Sequence, residues 1–164
     1  MFFVRTASRQ DLEAISALLS QTWHHTYDGI YGAEKVDEIS ASWHAPDTME
    51  ARLEKLNAEF IVADDGIRLG GVAYAAMDPS QAKVAVLHQL YVHPDCQGEG
   101  IGSDLLQEIA EAFHDATTLR LEVEPANEKA VAFYEARGFS KTGHTESCGG
   151  DSGIPADIYE RRLR

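Results

Sequence analysis

Three glycines at alternate positions, Gly98, Gly100 and Gly102, give the segment from Gln97 to Gly102 much backbone that carries no side chain. The run LHQLYVHP before them predicts a strand, and SDLLQEIAEAFH after them predicts a helix. A glycine-rich turn at a helix start leaves several backbone N–H groups unpaired, and the helix dipole adds to their attraction for an anion. The segment therefore predicts a pyrophosphate site, although a turn that needs glycine only for positive φ angles would show the same pattern.

The spacing of these glycines excludes two common nucleotide-binding motifs. It does not match the dinucleotide-binding pattern G-x-G-x-x-G, and no Gly-Lys-Ser/Thr follows as in a Walker loop. A nucleotide oxidoreductase also needs a ribose-binding acid at a set distance, which is missing here. The sequence therefore disfavours that function.

Two blocks of the chain resemble the GNAT superfamily of N-acetyltransferases. HQLYVHPDCQGEGIGSDLL is similar to the family's acetyl-CoA motif, Q/R-x-x-G-x-G/A, with a Leu-x-Val-x-Pro strand end; the matching residues are Leu90, Val92, Pro94, Gln97, Gly100 and Gly102. LEVEPANEKAVAFYEARGF is similar to the downstream motif through Asn127, Phe133, Tyr134, Gly138 and Phe139. The two blocks extend roughly from Val84 to Gly143. The N-terminal part of the chain resembles the family only in the kind of elements that it predicts.

The resemblance implies that acetyl-CoA is the co-substrate and that no metal takes part. It assigns the pyrophosphate to the backbone amides of seven consecutive loop residues. These are Gln97, Gly98, Glu99, Gly100, Ile101, Gly102 and Ser103. The backbone of Leu90, Tyr91 and Val92 would pair with the pantetheine arm as an added strand does. Asn127 would cap its helix and bond the same arm, while Lys129 would reach the adenosine phosphate. Relatives often have Arg or Lys where this chain has Glu99, so weaker affinity is expected.

The same resemblance implies direct acetyl transfer to an amine, with Tyr134 as the acid that protonates the leaving sulfur. Many relatives carry a Glu base on the strand before the loop, but KVAVLHQL has no carboxylate after Lys83. Glu122 aligns with a carboxylate that some relatives use through ordered water, and His88 is the next candidate because imidazole titrates near neutral pH. Water alone is a third possibility. Tyr134 as a core aromatic and Glu122 as a surface charge are the structural alternatives.

The segment WHHTYDGIYG is expected to help select the acceptor. Trp23, His24, Tyr27 and Tyr31 form an aromatic and imidazole cluster where the family has its acceptor-covering helices. The prefix W-x-x-T-Y resembles members that act on small amines, so a polyamine, amino sugar or amino acid is the first expectation. The α-amine of a protein N-terminus follows, because the second block also resembles the branch that acetylates ribosomal proteins. A non-catalytic acetyl-CoA sensor stays open as a function of another class.

Composition limits the partners and the compartment. Asp and Glu number 27 against 14 Lys and Arg, so the net charge of −13 disfavours nucleic acid and anionic membranes and suits a cationic acceptor. Cys96 and Cys148 fit neither a redox pair nor a zinc pattern, which agrees with a reducing compartment. MFFVRTASRQ does not have the pattern of a signal peptide, so a cytoplasmic protein is expected. A homodimer is possible, and the CGGDSG segment is a candidate contact loop.

The elements that must position these residues follow from periodicity and turn signals. The sequence predicts strands at FFVRTA, EFIVADDG, IRLGGVAYAAMD, KVAVLHQLYVHP and LRLEVEP, and two more around CGGDSG. It predicts helices after a Ser8–Asp11 capping box, at EKVDEISASW, at DTMEARLEKL, after the glycine loop and at NEKAVAFYEAR. A single α+β domain spanning residues 1–164 is expected. Its fold would be the GNAT one, a mixed, mostly antiparallel sheet of about seven strands, flanked by helices and splayed in a V.

Overall fold

A computed structural model describes residues 1–148 and 153–163 and confirms the α+β class. Its strands in these ranges are β1 (Phe3–Thr6), β2 (Ala58–Asp64), β3 (Leu69–Met77), β4 (Val84–Val92), β5 (Thr118–Val123), β6 (Ser140–Thr145) and β7 (Ala156–Arg162). Its α-helices are α1 (Leu12–Tyr31), α2 (Ala33–Trp43), α3 (Pro46–Leu53), α4 (Ile101–Ala112) and α5 (Glu128–Ala136). Short 3-10 turns precede α1 and follow β4.

The strands form one mixed sheet in the order β1-β2-β3-β4-β5-β7-β6. β4 and β5 are parallel, from the pair Val84 and Thr118 to the pair Leu87 and Leu121, and α4 makes the crossover between them. The pairs β1 and β2, β5 and β7, and β6 and β7 are antiparallel. The expected parallel pair in a mostly antiparallel sheet is therefore confirmed. The V-shaped splay stays a prediction.

Hydrogen bonds at their ends show that β3 and β4 run antiparallel. The backbone N–H of Asp78, just past β3, donates to the carbonyl of Val84 at the start of β4, at 2.8 Å. The N–H of His93, just past β4, donates to the carbonyl of Gly70 near the start of β3, also at 2.8 Å. This pairing agrees with the mostly antiparallel sheet that the sequence predicts.

Helix α1 is longer than the sequence indicated, because it continues through WHHTYDGIY to Tyr31. Its buried stripe, which begins at Leu12 and Ile15, is extended by Thr22, Trp23 and Tyr27 at helical spacing. The start also differs. Ser8 precedes a 3-10 turn and its backbone N–H donates to Asp11 Oδ2 at 2.7 Å, so α1 proper begins one turn later than the capping box suggested.

The chain forms two compact units, each with its own apolar core. The first comprises Met1–Tyr74 and Gln89–Ala112, and its buried side chains include Ile15, Leu19, Val62, Val72, Leu105 and Ile109. The second comprises Ala75–His88 and Phe113–Arg164, and its buried side chains include Leu87, Leu119, Leu121, Phe139 and Tyr159. The glycine loop and the aromatic segment of α1 belong to the first unit, whereas Tyr134, Glu122 and His88 belong to the second.

Residues 149–152 of the CGGDSG segment lie outside the described residues, so the expected contact loop is not described. The strands on either side of it, β6 and β7, are present and antiparallel. Across the described ranges, no helix has the length and apolar character needed to cross a bilayer.

Candidate functional site

The glycine loop has the backbone conformation that its sequence predicts. Gly98 and Gly100 adopt φ angles of 87° and 83°, a region that other residues rarely occupy. A Cβ atom at either position would find no heavy atom within 4 Å, so the backbone there faces open space. Helix α4 begins directly afterwards at Ile101, and the N–H of Asp104 makes its first-turn bond to the carbonyl of Gly100. The loop is therefore an open backbone cradle at a helix N-terminus.

Close packing holds α4 against the strands of its own unit. A Cβ atom on Gly71 of β3 would lie 2.8 Å from Ile101 Cγ2 and 2.9 Å from Leu105 Cδ1. Only glycine allows this approach, so Gly71 determines how near the helix start lies to the sheet. Gln97 Nε2 also donates to the carbonyl of Val92 at 3.4 Å, which joins the loop to the end of β4.

The aromatic segment of α1 forms a buried cluster with residues from other elements of the first unit. Trp23 lies 4.4 Å from Tyr27 and 5.5 Å from Trp43, centroid to centroid, and Tyr27 lies 5.8 Å from Tyr31. Tyr91 of β4 packs against the same cluster. The structure thus brings Trp23, Tyr27 and Tyr31 together as predicted, and places them beside the strand segment Leu90–Val92.

His24 is held differently from its neighbours. Its Nδ1 lies 2.6 Å from Asp28 Oδ1 and its Nε2 lies 2.8 Å from Asp37 Oδ1. The hydrogen bond with Asp28 is the largest cause that raises the pKa of the imidazole. The Nε2 contact joins α1 to α2, whereas the Nδ1 contact stays within α1. A substrate contact through His24 stays a prediction.

Sequence analysis missed two polar residues beside this cluster, His44 and Arg52. His44 is 1% exposed, its ring lies 5.6 Å from that of Trp23, and its Nδ1 lies 3.0 Å from Ser40 Oγ. Burial, together with the charge of Arg52, lowers its pKa to about 4. The guanidinium carbon of Arg52 lies 5.0 Å from the ring centroid of Tyr74. In the sequence, Arg52 lies among glutamates in a polar helix, which gives no sign of burial.

In the second unit, the downstream motif forms α5 and its cap. Asn127 Oδ1 accepts a hydrogen bond from the N–H of Ala130 at 3.2 Å, which confirms its expected N-cap role. Tyr134 is 8% exposed, and its ring makes edge contacts at 5.2 Å with Phe133 and 5.5 Å with Phe139. Lys129 is exposed in the first turn of the helix.

The two candidate bases occupy equivalent positions on neighbouring strands of the second unit. Leu87 pairs with Leu121, so His88 and Glu122 each lie one residue past that pair, on the opposite face from the buried leucines. Both side chains are exposed. Glu122 also accepts a hydrogen bond from the thiol of Cys148; burial is the main cause that raises the pKa of this thiol to about 12, and the charge of Glu122 adds to it.

Metal ligation is not suggested by the side chains that the structure describes, since no group of three His, Cys, Asp or Glu residues within residues 1–148 and 153–163 could hold a metal ion.

Comparison with known proteins agrees with this geometry. A family model described as an acetyltransferase (GNAT) domain matches residues 27–156. A thialysine N-epsilon-acetyltransferase of Bos taurus is 33% identical over 70 residues, which are 42% of this chain and 41% of that relative. An L-2,4-diaminobutyric acid acetyltransferase of Shouchella clausii is 29% identical over 105 residues, 62% of this chain and 59% of that relative. The matches thus span less than two thirds of either relative.

The fold is shared with solved acetyltransferase structures. The PaiA N-acetyltransferase from Thermoplasma acidophilum, crystallised in complex with coenzyme A, superposes with a TM-score of 0.84 at 23% identity. The superposition covers 99% of this chain and 99% of that one. At this level of identity the likeness concerns the fold.

Proposed function

The chain belongs to the GNAT acetyltransferase family, and from that premise we propose that it transfers the acetyl group of acetyl-CoA to the primary amine of a small acceptor. The observation that supports this most directly is the cradle formed by Gly98 and Gly100 at the start of α4. Positive φ angles, open space and a helix N-terminus together suit a diphosphate.

The residues that would hold acetyl-CoA follow from the motifs. Backbone N–H groups from Gln97 to Ser103 would bind the pyrophosphate, and the backbone of Leu90 to Val92 would pair with the pantetheine arm. Asn127 would add a side-chain bond to that arm while it caps α5, and Lys129 would approach the adenosine phosphate. Glu99 is exposed in the loop and places a negative charge near the phosphates, so we expect modest affinity for acetyl-CoA.

The reaction needs a proton acceptor for the attacking amine and a proton donor for the departing sulfur. Acetyl-CoA supplies an activated acetyl group, and the transfer forms a C–N bond as the C–S bond breaks. Glu122, directly or through water, would accept a proton from the attacking amine, with His88 as the alternative base. Tyr134 would donate a proton to the departing sulfur, so that the products are an amide and the CoA thiol.

The acceptor that we propose is a small, cationic amine: a polyamine, an amino sugar or an amino acid. The net charge of −13 favours encounter with a cation. The two relatives whose segments match are named for amino acids that carry a side-chain amine. Tyr31 and Trp43, the half-buried rings that pack against Trp23 and Tyr27, offer faces on which a cation could lie.

Release of CoA from acetyl-CoA tests the proposal. The purified protein is incubated with polyamines, amino acids, amino sugars and peptides with an unblocked N-terminus, and the melting temperature is recorded with and without acetyl-CoA. Turnover of one class of small amine supports the proposal, and turnover of peptides alone replaces it with the N-terminal activity. A rise in melting temperature without turnover, as about 2.7 kcal/mol of binding at a hundredfold excess over Kd would produce, supports the acetyl-CoA site and leaves the sensor function as the alternative to an acceptor outside the panel. Absence of a shift and of turnover refutes the proposal.

A further inference from the structure

Three buried side-chain atoms in the described part of the chain lack a hydrogen-bond partner: Trp23 Nε1, Arg52 Nη1 and Gln89 Oε1. All three residues belong to the first unit. Buried polar groups nearly always have partners, because an unpaired one loses its bond to water and gains nothing in return. Three such atoms in one unit therefore point to a ligand that supplies the missing partners.

Arg52 is the most unusual of the three because it is a charged group. The other arginines near the same end of the unit are paired with carboxylates: Arg5 with Asp11 and Asp64, and Arg9 with Glu50 and Glu54. Within residues 1–148 and 153–163, Arg52 takes part in no salt bridge, although Glu50 and Glu54 flank it in the sequence. None of the acidic side chains that the structure describes is therefore a counter-ion of this guanidinium.

The surroundings of Arg52 are aromatic. Its guanidinium carbon lies 5.0 Å from the ring centroid of Tyr74. The phenols of Tyr74 and Tyr91 interact electrostatically with the guanidinium charge. Burial lowers its pKa, and the nearby His44 is kept neutral by burial and by the Arg52 charge. A guanidinium that lies over an aromatic ring contacts it through its face, and its N–H groups, which lie in its own plane, can bind a carboxylate through two parallel bonds.

Tyr91 lies near two of the three residues with unpaired atoms and shares a strand with the third. It packs against the cluster that contains Trp23, and its phenol interacts with Arg52. Gln89 lies two residues earlier on β4 and so points to the same face of the strand. Two of the atoms are donors and one is an acceptor. This set matches a molecule that carries both a carboxylate and an amine.

We propose that Arg52, together with the indole N–H of Trp23, binds the carboxylate of the acceptor, so that the acceptor is an amino acid with a second amine and not a simple polyamine. The inference rests on the proposed acetyl transfer and narrows its substrate class. The carboxylate would lie beside the side chain of Tyr91. Because the backbone of the same strand segment is assigned to the pantetheine arm, the amine would extend from there toward the thioester. Gln89 Oε1 is available to accept a hydrogen bond from an ammonium or amine group.

Matched substrate pairs test this directly. Each pair consists of a diamino acid and the diamine left by its decarboxylation: 2,4-diaminobutyrate with 1,3-diaminopropane, and lysine with cadaverine. We expect kcat/KM to favour the amino acid by about ten- to a hundredfold, the range given by a hydrogen-bonded charge pair. Arg52→Gln should remove this preference by raising KM for the amino acid. The kcat/KM for the diamine should change by less than about twofold. Arg9→Gln, which removes a paired surface arginine, should keep the preference.

Equal use of both members of a pair by the wild type, or an equal loss for both in Arg52→Gln, would overturn the proposal. The Arg52→Met variant adds a measurement that does not depend on turnover, the melting temperature of the ligand-free protein. Removing a buried charge that lacks a partner should leave the melting temperature of the ligand-free protein unchanged or higher. A large fall in melting temperature would show that Arg52 serves only the packing around Tyr74.

A spectroscopic experiment separates failure of this proposal from failure of the proposed acetyl transfer. In a proton–nitrogen correlation spectrum, the two tryptophans give two indole signals, and a Trp43→Phe sample identifies that of Trp23. With coenzyme A present, 2,4-diaminobutyrate should shift the Trp23 signal and 1,3-diaminopropane should not. This result would support carboxylate binding even if no amine were turned over. No shift with any amino acid would reject it even if acetyl transfer were observed.

Discussion

The thiol of Cys148 donates a hydrogen bond to the carboxylate of Glu122. The two residues lie on different parts of the second unit, Glu122 near the end of β5 and Cys148 just after β6. Burial, with the negative charges of Glu122 and Glu124, raises the thiol pKa to about 12. Cys148 is therefore a neutral donor at physiological pH, and the contact orients the carboxylate that we propose as the base.

The contact predicts a slow reaction of Cys148 with alkylating agents at neutral pH. Only the thiolate reacts, so the rate of alkylation by iodoacetamide should keep rising with pH well beyond pH 9. Glu122→Gln removes the nearest negative charge, which should lower the thiol pKa and speed alkylation at pH 8. Mass spectrometry of the peptide that contains Cys148 measures both rates. Equal rates in the two proteins would show that Glu122 does not act on the thiol.

The loop glycines predict a difference between two alanine variants with the same backbone cost. Gly100 and Gly66 have φ angles of 83° and 91°, and a Cβ atom on either would meet nothing within 4 Å. Each alanine should therefore lower the free energy of unfolding by roughly 1–2 kcal/mol. Only Gly100→Ala places a methyl group in the proposed phosphate cradle. It should weaken acetyl-CoA binding by about tenfold or more, or about 1.4 kcal/mol, in calorimetry.

Gly66→Ala serves as the control, since Gly66 belongs to the hairpin turn between β2 and β3. If both variants bind acetyl-CoA as the wild type does, the loop is not the phosphate site. If both lose affinity equally, the effect comes from stability and not from the cradle.

Sequence analysis predicted the elements well because local signals determine them. The alternating runs, the glycines before α4 and the Asn127 cap each depend on residues a few positions apart, and each is present in the structure. The start of α1 and its extension to Tyr31 were predicted less well. There the decisive factor is which side chains the rest of the unit buries, and a 3-10 turn takes up the first residues.

The polar features of the candidate site were beyond local reasoning. In the sequence Arg52 lies between Glu50 and Glu54, which suggests solvated charge pairs along a helix. In the structure both glutamates pair with Arg9 instead, and Arg52 lies against Tyr74. The contact between Cys148 and Glu122 similarly joins residues separated by strand β6 and helix α5. Such pairs depend on tertiary packing, for which the chain has no local pattern.

The buried His44 predicts a loss of stability in mild acid. Its pKa is about 4 in the folded protein against 6.5 for an unperturbed imidazole. The unfolded chain therefore takes up a proton as the pH falls below 6.5, while the folded protein does not until about pH 4. The free energy of unfolding should fall between these values by up to about 3 kcal/mol, at about 1.4 kcal/mol for each pKa unit.

Urea unfolding at pH 7 and pH 5 measures this slope. His44→Gln removes the titrating group and should flatten the dependence, whatever its effect on stability at pH 7. His114→Gln, at an exposed position of the second unit, should retain the wild-type slope. His24 and His144, whose pKa values are raised, contribute to the slope of both proteins alike, so a His44→Gln protein with the wild-type slope would show that folding does not lower the pKa of His44.

The last prediction concerns the proposed acid. Tyr134→Phe removes one oxygen atom and keeps the edge contacts with Phe133 and Phe139, so the fold of α5 should be retained. If the phenol protonates the leaving sulfur, kcat should fall by about 10²–10⁴ while the Kd of acetyl-CoA stays near its wild-type value. Tyr159→Phe is the matched control, because Tyr159 is equally buried in the same unit but lies on β7. A Tyr134→Phe enzyme with wild-type kcat would reduce Tyr134 to a core aromatic and leave the thiolate to take its proton from water.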